Sequence, residues 1–290
     1  MHTYRLTRRG KFILTIFVML ISLAGTLSLK AIGVPSNKFE YSVNDSEQLW
    51  TKSGFYELDL RKIAIEYGNE MMKLNEESVK EEFKSIDVED IKTYDGSKLA
   101  FLTFDDGPSK NVTPEVLNIL DSYNIKATFF VLGNMCEKNG IVLQRIAEEG
   151  HSIGIHSYSH RLNELLANED SFINELCMTE NALKDYLGID FKTRLFRFPG
   201  GSFENYKKQY MDVLNEHGYI SVDWNALTGD TEHVNPTPDM LLNRLKATII
   251  NKNHIVVLMH DSETKHVTVE VLPDVIEYLK SEGYEFAILK

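Results

Sequence analysis

The sequence predicts an α/β fold with a parallel sheet, open or closed into a barrel. Two observations carry that prediction. From Leu99 onward, short apolar runs alternate with amphipathic helical stretches, and the stretches between runs carry recognisable helix caps and stops.

In order, the first run is LAFLTF, which ends at Asp105, Asp106 and a Gly-Pro turn. A helix follows, for which Thr113-Pro114 offers a capping hydroxyl and a proline at the first helical position. The second strand is ATFFVL, and its helix closes at Gly150. HSIGI is the third, followed by a long helix that stops at Gly188. RLFRF is the fourth and YISVDW the fifth, with a helix between them ending at Gly218. Thr237-Pro238 starts another helix before HIVVLM, and Gly283 closes the last helix before YEFAIL. In such folds reactive residues gather where strands end at their C-terminal edge. That edge is the geometric test for every motif below.

The bulk properties narrow the function. The chain has 290 residues, 43% hydrophobic and 26% charged, which suits one large domain with an appendage. A formal net charge of −12 argues against nucleic acid as a partner, because phosphate binding needs clustered Lys and Arg. A neutral polymer such as a glycan remains compatible. The two cysteines, Cys136 and Cys177, form no C-x-x-C pair, so cysteine zinc sites and a disulfide-dense scaffold are excluded.

Upstream, Arg5, Arg8, Arg9 and Lys11 precede an apolar run from Phe12 to Leu29. The run is just long enough to span a bilayer, and the basic residues before it place the N-terminus in the cytoplasm. Ser22-Leu23-Ala24 is a passable cleavage site for a secretory signal. The apolar run continues past it, so we expect an uncleaved anchor: a single-pass cell-membrane protein with an extracytoplasmic catalytic domain, or otherwise a secreted one. Residues 31–97 are polar and acidic, and NEMMKLNEESVKEEFKSI spaces its apolar residues like a helix with a solvated face. The expected organisation is a basic tail and anchor over 1–30, a partly helical stalk over 31–97 and a catalytic domain over 98–290.

The chemistry is concentrated at the strand ends. His156 and His160 follow the third strand with H-x-x-x-H spacing, so a single turn of chain can aim both imidazoles at one point. Together with Asp106 they offer two nitrogens and a carboxylate, a set that suits a catalytic divalent metal, with zinc the commonest choice for hydrolysis. His151 begins its strand, on the far edge, and is left out. Arg197 ends the fourth strand in RFPGGS, where glycines let a backbone N–H approach a ligand. Asp223, Trp224 and Asp230 follow the fifth strand, and His260 ends VVLMH. Each motif alone could be a turn or a solvated polar residue. Their recurrence at one predicted edge argues for a site.

In this order, TFDDGPS, H-S-x-x-H, R-x-P-x-G, a late Asp after a Trp, and L-x-H resemble the five motifs of the polysaccharide deacetylases, carbohydrate esterase family 4. The resemblance runs from about Leu99 to Lys290. It implies a distorted (β/α)7-type barrel that removes acetyl groups from N-acetylated glycans such as peptidoglycan. It also implies roles: Asp105 as general base, and Asp106, His156 and His160 as the metal triad. Arg197 would orient the base, His260 would be the general acid, and Asp230 would hold that histidine. Two departures stand out. Gly200 replaces the tyrosine common after R-x-P, which keeps a backbone N–H for the oxyanion but removes a wall of the sugar groove. Leu227 and Thr231 stand where an Asp and a Trp are usual.

Three functions follow: an N-deacetylase of cell-wall glycan, an O-acetyl esterase with the same machinery, or a catalytically silent wall-binding homologue. Two adjacent carboxylates repel unless a cation relieves them. A metal on Asp106 does so and leaves Asp105 ionised. The candidate base, metal ligands and acid are all present, so we expect the N-deacetylase.

Overall fold

The computed structural model of the chain describes residues 83–91 and 98–290. The basic tail, the apolar run 12–29 and most of the expected stalk lie outside these residues. The membrane location and membrane partner that the apolar run led us to expect are corrected here. No helix among the described residues is long and apolar enough to cross a membrane. The longest, Glu169–Leu187, carries acidic residues in its first turn and buries one face only.

A parallel sheet forms the centre. β1 (Ser85–Ile86) pairs in parallel with β10 (Ile288–Leu289), outside the main sheet. The main sheet contains β2 (Lys98–Asp105), β3 (Thr128–Val131), β4 (Ser152–Ile155), β5 (Leu195–Phe196), β6 (Ile220–Ser221), β7 (Ala226–Leu227), β8 (His254–His260) and β9 (Tyr284–Phe286). Its order is β6-β5-β4-β3-β2-β8-β7, with β9 beside the start of β2. No pairing among the described residues joins β6 to β7, so the barrel is incomplete. The single expected strand YEFAIL is divided between β9 and β10.

Eight α-helices are described: α1 (Val112–Ser122), α2 (Gly133–Lys138), α3 (Gly140–Glu148), α4 (Leu162–Leu165), α5 (Glu169–Leu187), α6 (Lys208–Glu216), α7 (Pro238–Thr248) and α8 (His266–Ser281). Thr237 caps α7 as expected, accepting from the Met240 N–H with proline at the helix start. Thr113 does not cap α1. That helix begins at Val112, and the Thr113 hydroxyl instead bonds Asp261 and Ser109. Gly150, Gly188, Gly218 and Gly283 all adopt positive φ at helix ends, where a side chain would be strained.

The two-residue period of a strand sorts the core into two clusters. In β2, Ala100, Leu102 and Phe104 join the large cluster that includes buried residues of α1, α3, α5 and α8. Leu99 and Phe101 point the other way, into a smaller cluster with Phe130, Leu195, Val222 and Val256. The same alternation puts Ile255, Val257 and Met259 of β8 on the helix side, and Ile153 and Ile155 of β4 likewise. The remaining parity points inside the barrel. Continued to the strand ends, it turns Asp105, His156, Arg197 and His260 inward.

The interior is crowded enough to dictate sequence. A Cβ on Gly154 would sit 2.6 Å from the Phe130 ring and 2.9 Å from Leu195 Cβ. Glycine is the residue that fits there.

Candidate active site and metal centre

β2 and β8 run in register, and their last residues, Asp105 and His260, are paired. The chain then turns sharply: Asp106 takes φ 76°, and Asp261 N–H donates to the Asp105 carbonyl at 3.1 Å. Two adjacent carboxylates thus face different surroundings.

Asp105 is buried and meets Arg197, whose Nη1 donates to Oδ1 at 2.8 Å. Burial pushes the Asp105 carboxyl above its ordinary pKa, while the Arg197 charge and hydrogen bond pull it back towards ionisation. Arg197 is itself fully buried and is held through Nη1 and Nε, while its Nη2 has no hydrogen-bond partner among the described residues. Its Nη1 also donates to Thr103 Oγ1 at 2.7 Å, its Nε to the Val222 carbonyl at 2.9 Å, and its guanidinium lies 4.0 Å from the Phe130 ring centroid. A guanidinium anchored at Nη1 and Nε fixes the carboxylate it touches.

Asp106 faces the two histidines. Its Oδ1 lies 3.6 Å from His156 Nε2 and 3.4 Å from His160 Nε2, and one ligand atom from each residue lies within 4.8 Å of the others. His156 Nδ1 bonds the Arg197 carbonyl at 2.8 Å. A carbonyl can only accept, so Nδ1 carries the proton and Nε2 presents its lone pair to Asp106. Burial, with the nearby His160 and Arg197 charges, lowers the His156 pKa to about 3 despite Asp106, so the ring is neutral. Asp106 Oδ1 is buried and accepts no hydrogen bond. This buried carboxylate oxygen faces the His156 lone pair and the His160 ring, a donor set of one oxygen and two imidazole nitrogens. The residues fit a divalent metal.

The loop bearing these histidines is held from below. Glu175 on α5 accepts from the Tyr158 and Ser159 N–H groups at 2.8 and 2.9 Å, and from Ser159 Oγ at 2.7 Å. This support matters because Ser157 and His160 both take positive φ. His151 lies apart, its Nδ1 accepting from the Ala127 N–H at 3.0 Å.

Across the site, His260 Nδ1 bonds Asp230 Oδ1 at 2.8 Å, and the His260 N–H donates to Oδ2 at 2.7 Å. Thr268 Oγ1 adds a third bond to that carboxylate at 2.8 Å. Burial disfavours the imidazolium, but the Asp230 hydrogen bond and charge outweigh it and raise the His260 pKa to about 9. Asp230 is correspondingly lowered against the effect of its own burial.

Gly200 is exposed at the tip of a turn, with φ 73°. The same loop is tied to the segment after β6 by Ser202, which donates twice to Asp223, at 2.9 and 2.5 Å. Exposed Phe203 packs edge-on to Trp224 at 5.3 Å. Sequence reasoning did not single out Glu175, Ser202 or the buried Lys207 beneath this loop. Their signal is tertiary, since none sits at a strand end. Cys136 and Cys177 are free.

The family model for polysaccharide deacetylase matches residues 92–222. The chain is 35% identical over 190 residues to a bifunctional xylanase/deacetylase of Pseudobutyrivibrio xylanivorans, covering 65% of this chain and 29% of that protein. It is 35% identical over 194 residues to a peptidoglycan-N-acetylglucosamine deacetylase of Bacillus cereus, covering 65% of this chain and 66% of that protein. Among solved structures, a Streptococcus mutans CE4 esterase superposes with a TM-score of 0.67 at 38% identity, covering 71% of this chain and 92% of that one. The chain therefore spans less than two thirds of the length of these two curated relatives and nearly all of the solved domain.

Proposed function

Because the chain belongs to the polysaccharide deacetylase family, we propose that it is a metal-dependent hydrolase. It removes acetyl groups from N-acetylated sugars of a cell-wall glycan, with peptidoglycan N-acetylglucosamine the favoured substrate. One observation carries this reading. The Arg197-held Asp105, the Asp106–His156–His160 cluster and the Asp230-held His260 all face inward from one edge of the sheet.

Asp106, His156 and His160 hold the cation, with Zn2+ the best match to two imidazoles and a carboxylate. When bound, it supplies Lewis-acid polarisation of the acetyl carbonyl and makes water acidic enough to ionise near neutral pH. Asp105 takes the proton from the attacking water, whose oxygen bonds to the acetyl carbon. Gly200 N–H donates to the carbonyl oxygen as it becomes an oxyanion. His260, charged below about pH 9, gives its proton to the nitrogen as the C–N bond breaks. Acetate and a free amino sugar leave.

The raised His260 pKa favours an amide over an ester, since an amine is the leaving group that most needs a proton. The test is acetate release from N-acetylated and O-acetylated glycans by the metal-loaded chain, with His156→Ala as control. Release from the ester alone would replace the amide reading with an esterase.

A further inference from the structure

The turn Phe198-Pro199-Gly200-Gly201 is closed by the Gly201 N–H donating to the Phe198 carbonyl at 2.8 Å. Pro199 and Gly200 are its central residues, and Gly200 at φ 73° makes it a type II turn. A type I turn differs by rotating the central peptide about half a revolution. That peptide consists of the Pro199 carbonyl and the Gly200 N–H. Glycine tolerates either form, so local sterics do not choose between them.

Lys207 chooses. Its side chain is 1% exposed, a rare state for lysine, and its ammonium sits under the turn. Nζ donates to the Pro199 carbonyl at 3.1 Å and the Gly201 carbonyl at 2.5 Å, and pairs with half-exposed Glu204 at 2.9 Å. In a trans peptide the carbonyl and the N–H point in opposite directions. Holding the Pro199 oxygen on the buried lysine therefore turns the Gly200 N–H away from it, towards the open side. Flipping the peptide would aim an N–H at an ammonium and leave a buried donor unpaired.

We propose that Lys207 is a positioning residue: it locks the turn in its type II form and thereby presents the Gly200 N–H to the oxyanion of the reaction. The role rests on the deacetylase reading of Gly200 given above. It also accounts for how a Gly-Gly loop, which has little stiffness of its own, holds a donor still.

The experiment compares Lys207→Met, Lys207→Gln, Glu204→Gln and Gly200→Ala in the full chain loaded with Zn2+. Lys207→Met removes the donors and keeps the apolar stem. It should lower kcat at least tenfold with KM within twofold and metal content unchanged. The Gly200 amide, followed by 15N NMR, should broaden as the freed peptide flips. Glu204→Gln keeps both carbonyl bonds and should leave kcat within twofold. Gly200→Ala has room for its Cβ, whose nearest neighbour is Lys207 Nζ at 3.8 Å, but positive φ disfavours it. Because it leaves Lys207 in place, it reports on Gly200 alone; Lys207→Gln, uncharged and too short to reach both carbonyls, should also lower kcat and decides the matter if Lys207→Met does not fold. An unchanged kcat in a folded Lys207→Met, or in Lys207→Gln when Lys207→Met does not fold, overturns the proposal. A wild-type chain with metal but no acetate release overturns the deacetylase reading instead. In that case the amide signal still shows whether Lys207 sets the peptide, and a sharp, unmoved Gly200 resonance in Lys207→Met refutes that too.

Discussion

Asp105 and His260 are register partners on neighbouring parallel strands, one held by Arg197 and the other by Asp230. A carboxylate and an imidazolium thus face each other across one strand spacing, each with its own dedicated partner. On the proposed reading, these surroundings suit Asp105 to accept a proton and His260 to donate one.

On that reading, the Asp230–His260 pair should set the alkaline limit. With the His260 pKa at about 9, activity on an amide should persist to about that pH before its basic limb falls. Asp230→Asn removes the charge that favours imidazolium, so the limb should move down towards the ordinary histidine value of about 6.5. The same shift governs stability. A histidine with a raised folded pKa stabilises the fold fully below its unfolded pKa, and that contribution disappears as pH rises through about 9. His260→Ala should cost roughly 10²–10⁴-fold on an N-acetyl substrate and far less on an aryl acetate, whose leaving group needs little protonation. Equal losses on both would show that His260 donates no proton to the leaving group.

In the proposed mechanism, Arg197 keeps the buried Asp105 carboxylate usable as a base. In Arg197→Met, burial acts on Asp105 without the guanidinium to oppose it, so the carboxyl pKa rises further. The acidic limb of kcat/KM should therefore move to higher pH. Breaking the buried pair should also destabilise the fold by about 3–5 kcal/mol. Urea unfolding and a pH–rate profile check both. An unmoved acidic limb would mean that the limb reports another group.

The metal triad should behave as a unit. His156→Ala should lose bound metal and deacetylase activity together, because His160 and Asp106 alone leave two ligands. The thermal midpoint of the wild type should rise on adding Zn2+, and that of the variant should not. Full metal content with full activity in His156→Ala would place the cation elsewhere.

Gly154 tests the crowding of the barrel interior. Gly154→Ala drives a methyl group to 2.6 Å from the Phe130 ring, and Phe130 in turn carries the Arg197 guanidinium. Overpacking should cost about 1–3 kcal/mol. The thermal midpoint should fall. An unchanged midpoint would mean that the Phe130 ring moves aside freely.

Why some of this was legible in the sequence follows from where each signal resides. Strand ends announce themselves, since an apolar run that stops at Asp105, His156, Arg197 or His260 fixes both the edge and, by alternation, the inward face. Thr237 caps its helix through a donor three positions along the same segment, the Met240 N–H, so the signal is local. Thr113 failed as a cap because Asp261, 148 positions away, takes that hydroxyl. Ser85–Ile86 is a strand only by pairing with the far C-terminus, a signal that the local sequence of residues 31–97 does not carry. Glu175 and Lys207 escaped notice for the same reason: a charged residue in or beside a helix looks solvated until the fold brings a loop down onto it.

The most direct test of the central claim is acetate released from an N-acetylglucosamine glycan by the purified chain, measured with Zn2+ and again after chelation. The account predicts release with metal, loss on chelation and recovery when Zn2+ is returned, with none of the three from His156→Ala. Release that persists unchanged in the chelated protein, or none with metal bound, would contradict it.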